Sequence, residues 1–310
     1  MLDVALLGTG GMMPLPNRWL ASAMLRAEGR VVLIDCGEGT QIAARLHGFG
    51  FRDIDAILLS HYHADHTAGL PGVLLAMALA ERHEPVVIAG PPGLRRLIAA
   101  VGVFTGRLPF EVNAVELQEG ASFEAGPLRI SCQLGDHTLP CFAYRVDLTR
   151  APRFLPERAR ELGIPVDRWK TLQSGEPVQL GSRVVAPEDV LGPPRRGLSA
   201  AYVTDTRPTE RLPAFLSDVD LLICEAMFAD PAQAERAVER KHLLFREAGA
   251  LAAAANARRL WLTHFSPALA DPLHWIEEAR REFAAVTVGY DGLRTTLAFD
   301  EDGHGPRSEQ

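Results

Sequence analysis

Long hydrophobic runs are missing from this chain of 310 residues. No apolar stretch reaches the roughly 18 residues that span a bilayer as a helix, so no membrane partner is expected. A basic leader with a small-residue cleavage site is missing too. The start, Met1-Leu2-Asp3-Val4-Ala5-Leu6-Leu7-Gly8, reads as a first strand, and the expected location is the cytoplasm. Cysteine is scarce and scattered (Cys36, Cys132, Cys141, Cys224), with no Cys-x-x-Cys pair. The expectation is reduced, buried thiols without disulfides. A basic excess is absent: the net charge is −7, which argues against a nucleic acid held by overall charge. Gly8-Thr9-Gly10-Gly11 lacks the next glycine of a dinucleotide loop and runs into Pro14, so no nucleotide-binding helix begins there. No internal repeat is evident.

What is present is an α/β pattern. A hydrophobic content of 47% allows a large core, in one big domain or two smaller ones. Short apolar runs read as strands at Val4–Leu7, Val31–Asp35, Ala56–Ser60, Val86–Ala89, Leu128–Gln133, Ala143–Val146, Ala201–Thr204, Leu221–Cys224, Leu260–Thr263 and Thr287–Gly289. Helical stretches read at Gln41–His47, Leu70–Glu81, Gly93–Ala100, Glu157–Leu162, Glu210–Leu216, Ala232–Ala257 and Pro272–Phe283. The order predicts mixed sheets covered by helices. Residues 147–197 interrupt it with seven prolines and read as an excursion from the core. That segment carries nine Arg/Lys against seven Asp/Glu, leaving −9 for the rest. The expectation is a single domain over 1–300, with a polar, disordered tail at 301–310.

The chemistry concentrates in Ser60-His61-Tyr62-His63-Ala64-Asp65-His66, directly after the apolar run Ala56–Leu59. His61 and His63 are two apart, so an extended backbone points them the same way. Imidazoles and a carboxylate at that density suit a borderline divalent ion such as zinc. Other strands also end in a polar group: Asp35, His137, Asp205, Glu225 and His264 each follow an apolar run. Loops at the carboxyl ends of strands converge on ligand sites. The set His61, His63, Asp65, His66, His137, Asp205 and His264 is too large for one tetrahedral ion. It suits two ions about 3.5–4 Å apart, with a carboxylate between them.

The run Ser60–His66 resembles the HxHxDH signature of the metallo-β-lactamase superfamily. Leu6–Gly11, Asp35-Cys36-Gly37-Glu38-Gly39-Thr40-Gln41, Asp205-Thr206-Arg207, Cys224–Phe228 and Leu262-Thr263-His264-Phe265-Ser266 resemble the ribonuclease Z (tRNase Z) family within it. The resemblance runs in order from Leu6 to Tyr290-Asp291. It implies an αββα four-layer sandwich with a protruding arm, two zinc ions, and removal of 3′ trailers from tRNA precursors. By the same resemblance His61, His63 and His137 would hold one zinc, and Asp65, His66 and His264 the other, with Asp205 bridging. Asp65 would help deprotonate the attacking water. His242 would lie near the scissile phosphate, with Glu225 orienting it. A homodimer is compatible with the resemblance. Two departures bear on the substrate: Pro14-Leu15-Pro16-Asn17-Arg18-Trp19 stands where many bacterial members have Pro-x-Lys-x-Arg-Asn, and the 147–197 segment has Ile164-Pro165-Val166-Asp167-Arg168-Trp169-Lys170 where the family's arm is typically rich in Gly-Pro. The alternatives are a cyclic-nucleotide-type phosphodiesterase, or a hydrolase of thioesters, lactones or lactams on the same fold.

Overall fold

The computed structural model describes residues 1–299; the tail expected to be disordered, Glu301–Gln310, lies outside the described residues. The chain divides into two compact units. One is Met1–Leu148 with the chain from Leu198 on, and the other is Thr149–Gly197.

The larger unit contains two seven-stranded sheets. The first is built from β1 (Leu2–Gly8), β2 (Ser22–Ala27), β3 (Arg30–Ile34), β4 (Ile54–Leu58), β5 (Val86–Gly90), β6 (Val112–Glu116) and β16 (Arg294–Leu297), in the order β16-β1-β2-β3-β4-β5-β6. The second is built from β7 (Ser122–Ala125), β8 (Leu128–Leu134), β9 (Phe142–Arg150), β12 (Arg195–Val203), β13 (Leu221–Glu225), β14 (Leu260–Thr263) and β15 (Val286–Val288), in the order β15-β14-β13-β12-β9-β8-β7. Strands β3 to β6 run parallel, as do β12 to β15.

Period-two alternation makes the layers. In β3, Val32 and Ile34 join the core between the sheets, while Val31 and Leu33 face the other way. In β12, Ala200 and Tyr202 face inward and Ala201 and Val203 outward; in β13, Leu221 and Ile223 face inward and Leu222 and Cys224 outward. Strands apolar on both faces must be covered on both faces. Helices α1 (Thr40–Leu46), α3 (Leu70–Leu79) and α4 (Leu94–Thr105) cover the first sheet. Helices α7 (Leu212–Phe215), α9 (Phe245–Ala254) and α10 (Ile276–Arg280) cover the second. The result is the four-layer αββα sandwich that the resemblance implied.

Several local readings change, and β6, β7 and β16, besides β2, were not read as strands. A separate one-turn helix, α2 (Ala64–Thr67), precedes α3 and carries Asp65 and His66. Gly69 divides the two helices; a Cβ there would lie 2.1 Å from the Gly37 carbonyl, so only glycine permits this approach. The helix read over Ala232–Ala257 is instead α8 (Ala234–Arg240) and α9, because Lys241 turns left-handed at φ 58°. His242 therefore sits in a link and not on a helix. Strand β2 was missed because Ser-Ala-Met-Leu-Arg-Ala has no β preference; pairing with β1 and β3 overrides its composition.

The smaller unit holds α5 (Pro156–Glu161), α6 (Trp169–Gln173) and the antiparallel pair β10 (Val178–Leu180) and β11 (Arg183–Val185). Its core is Ala159, Ile164, Leu172, Val178, Val185 and Val190, with Phe154 and Trp169 packed against it. The Trp169 indole donates to the Ile164 carbonyl at 3.0 Å and lies 5.2 Å from the Phe154 ring. Trp169 is thus packed against the small unit's own core.

Candidate metal centre

All seven metal-candidate residues meet at one end of the sandwich. Asp35 follows β3, Ser60–His63 follow β4, Asp205 follows β12, Glu225 ends β13 and His264 follows β14. Asp35, Asp205 and His264 have φ of 58°, 39° and 58°. Positive φ on a residue with a Cβ is strained, and such strain clusters at functional sites.

The first donor cluster is His61, His63, His137 and Asp205. His61 Nε2 lies 2.9 Å from His63 Nδ1, and His137 Nε2 lies 3.4 Å from that same nitrogen. Asp205 Oδ2 is 3.6 Å from both His61 Nε2 and His137 Nε2. The second cluster is Asp65, His66 and His264. His66 Nε2 and His264 Nε2 are 3.1 Å apart, and Asp65 Oδ2 is 3.6 and 3.4 Å from them. Asp205 Oδ1 faces this second cluster, 3.3 Å from His66 Nε2 and 3.2 Å from His264 Nε2. One carboxylate thus turns one oxygen to each cluster. Donors around a tetrahedral zinc with bonds near 2.0–2.1 Å stand about 3.3 Å apart. The observed separations bracket that figure, so the residues fit two such ions.

The far ring nitrogens fix the tautomers. Ser60 Oγ donates to Asp35 Oδ2 at 2.8 Å, so it accepts from His61 Nδ1 at 3.1 Å. His66 Nδ1 donates to Asp35 Oδ2 at 2.7 Å, and His137 Nδ1 to the Lys241 carbonyl at 3.2 Å. Each turns its Nε2 into the cluster, the atom a metal-binding imidazole offers. Burial, with the charge of His66, depresses His61 to about 2, which keeps it neutral and ligand-ready. Burial opposes protonation of His66 as well, but Asp205 and Asp35 outweigh it and raise that residue well above its ordinary value.

His242 and Glu225 lie beside the clusters. His242 Nδ1 is 3.2 Å from both Glu225 oxygens and 3.9 Å from Asp205 Oδ2. Glu225 is fully buried and also accepts from the Thr206 amide at 2.7 Å. Arg207 holds the link that carries His242: it donates to the His242 carbonyl at 2.6 Å and forms a two-pronged pair with Glu247. Glu247 in turn accepts from the Leu244 amide at 2.9 Å. Sequence reasoning missed this clamp, as well as the linking role of Asp35 and Ser60. Asp35 at a strand end was the available signal; Glu247 offered none.

Comparison with known proteins agrees with this geometry. A family model described as a beta-lactamase superfamily domain matches residues 30–265. The chain is 45% identical to a ribonuclease Z of Agathobacter rectalis, covering 97% of this chain and 100% of the relative. It is 42% identical to a ribonuclease Z of Lachnoclostridium phytofermentans over the same shares. Among solved structures it is similar to human tRNase Z, short form, with a TM-score of 0.68 at 25% identity, covering 96% of this chain and 100% of the other. The fold is also that of YhfI from Bacillus subtilis, with a TM-score of 0.68 at 21% identity, covering 95% and 98%.

Proposed function

The chain belongs to the ribonuclease Z family of the beta-lactamase superfamily, and from that premise we propose that it is an endoribonuclease removing 3′ trailers from tRNA precursors. It is a metal-dependent hydrolase, and we assign it two zinc ions. The observation that carries the hydrolytic reading is the Asp205 carboxylate, with one oxygen toward each donor cluster. The near-full-length relatives favour RNA over the cyclic-nucleotide, thioester, lactone and lactam alternatives. The test is incubation of pure protein with a precursor tRNA and mapping of the cut. A single cut at the trailer junction, leaving an upstream 3′-hydroxyl, is expected. Cuts scattered through the tRNA body, or none, overturn the reading.

His61, His63 and His137 would hold one ion, Asp65, His66 and His264 the other, and Asp205 both. Zinc held there supplies Lewis acidity, making water a nucleophile at neutral pH and offsetting phosphate charge. Asp65 accepts the water's proton and aims it along the line of the scissile bond. His242 hands a proton to the departing 3′-oxygen or steadies the charge on the phosphoryl oxygens. Glu225 keeps His242 charged for that task.

This role has a pH signature. Burial works to lower the His242 value, but the facing Glu225 carboxylate, with Asp205 and Asp65, pushes it up to about 9. A donor of that kind is charged through neutral pH and lost as pH rises through about 9. Glu225→Gln removes the largest favourable charge, so the alkaline limb of kcat/KM should move down toward the ordinary histidine value near 6.5. A limb that stays in place in Glu225→Gln removes Glu225 from the role.

We also propose a homodimer built on α1 and α3. Helix α3, Leu-Pro-Gly-Val-Leu-Leu-Ala-Met-Ala-Leu, is apolar on every side, yet only Leu70, Val73, Leu74 and Met77 are buried. A helix apolar all round is normally covered all round. Leu79 is 86% exposed and Leu75 40%, beside Leu46 at 70% and Ile42 at 46% on α1. Burying each fully is worth about 1.5–3 kcal/mol. Light scattering should give the mass of two chains, and Leu46→Glu with Leu79→Glu the mass of one. A wild-type monomer sinks this assembly. The expected compartment is the cytoplasm, in keeping with four free, buried cysteines. Among the described residues no helix is long and apolar enough to cross a membrane.

A further inference from the structure

The loop Gly10–Met13 meets the donor clusters with its backbone. The Gly10 amide donates to the Trp19 carbonyl at 2.8 Å and the Gly11 amide to the Phe265 carbonyl at 3.0 Å. These bonds press Gly11 against the His264 ring: a Cβ on Gly11 would lie 2.6 Å from Cε1 of that imidazole and 2.8 Å from the Met227 side chain. The Met13 amide returns to the Gly11 carbonyl at 2.8 Å, closing a three-residue turn on Met12, whose φ is 66°. This is the γ-turn with positive φ, which is rare and strained, and Met is ill suited to it. The Met12 side chain does not explain the strain, since it is 65% exposed.

The turn does accomplish one thing. It aims the Met12 amide at Asp65 Oδ2, 2.6 Å away. That oxygen is the one facing His66 Nε2 and His264 Nε2. The other acids of the site have their own fixings: Asp205 accepts from the Thr204 hydroxyl, and Asp35 from the Ser60 amide and hydroxyl. Apart from imidazoles of its own cluster, the Met12 amide is the one donor to Asp65 among the described residues.

We propose that Met12 is a positioning residue for Asp65. Its strained turn holds an N–H on the oxygen that faces the second cluster, so the carboxylate is aimed before an ion binds. The inference rests on the reading of Asp65, His66 and His264 as metal ligands. Its sequence signature is nil, because a main-chain donor can be carried by any residue except proline.

The test replaces Met12 with its α-hydroxy acid analogue by nonsense suppression, exchanging the amide N–H for an ester oxygen while keeping the side chain. Zinc affinities at both sites are measured by competition with a chromogenic chelator, alongside the melting temperature of the metal-free protein. The ester protein should bind one zinc as wild type does and the other about 10–100-fold more weakly, the usual cost of losing a hydrogen bond behind a ligand. Its metal-free melting temperature should be close to wild type. Met12→Gly keeps the N–H and suits the positive φ, so it should retain both zinc affinities. An ester protein with wild-type affinity at both sites overturns the proposal. So does a Met12→Gly protein that loses zinc as the ester does, because the side chain would then be responsible. Wild-type protein that binds fewer than two zinc ions counts against the metal reading itself, independently of Met12.

Discussion

Asp65→Ala is expected to lower phosphodiester hydrolysis by at least about a thousandfold in a protein that still folds. Two losses combine. Removing a general base costs roughly 10²–10⁴ in rate, and the same substitution removes one of three donors from the second cluster. Burial alone would raise the Asp65 carboxyl, but its hydrogen bond to His264 and the charge of His66 hold it below the usual carboxylate range. The group is therefore ionised at neutral pH and able both to bind a cation and to take a proton. The fold should survive because α2 is fixed by other contacts. The Thr67 hydroxyl donates to the His63 carbonyl at 2.9 Å, the Cys36 amide to the His66 carbonyl at 2.8 Å, and the Gly69 amide to the Cys36 carbonyl at 2.8 Å. Alanine also suits a helical turn. The first cluster, His61, His63, His137 and Asp205, keeps all its donors. Metal analysis of the variant should thus give about one zinc where wild type gives two, with the melting temperature little changed. Near-normal turnover in a well-folded Asp65→Ala protein takes Asp65 out of the mechanism.

That His61, Asp205, Glu225 and His264 stand just where strands end was legible in sequence because each follows a short-range rule. Strands β4, β12, β13 and β14 are apolar on both faces, and a polar residue at the end of such a run marks where the strand stops and a loop begins. Parallel pairing then gathers those ends at one edge. What decides the geometry was not legible. Asp35 lies 25 residues before Ser60 and 31 before His66, and only the pairing of β3 with β4 brings them together. The break at Lys241 has no glycine or proline to announce it. Just past it His242 meets Glu225, a contact set by β13 and not by the local chain.

Replacing the 149–197 unit by a short turn is expected to cut precursor-tRNA cleavage at least a hundredfold while hydrolysis of a small chromogenic diester changes little. The replacement is feasible because the segment leaves from β9 and returns on β12, which are neighbours in the second sheet. None of the seven donor residues lies within it. Most of its basic side chains are already engaged: Arg158 with Glu161, Arg168 with Asp167, Arg183 with the Leu162 carbonyl, Arg195 with the Ala151 carbonyl, and Arg160 over Trp169. Arg153 and Lys170 are exposed. We propose them as the phosphate contacts. Two hydrogen-bonded charge contacts at about 1.5 kcal/mol each amount to roughly a hundredfold. The same count sets the salt response. Two phosphate contacts give a slope near −1.8, or about a tenfold loss of affinity between 50 and 200 mM salt. Arg153→Ala with Lys170→Ala should flatten that slope by about two and raise KM for precursor tRNA with kcat retained. Equal losses on tRNA and on the small diester after the unit is replaced would mean that the segment supports the catalytic fold and does not dock RNA. An unchanged salt slope in the double variant would assign the phosphate contacts to other residues.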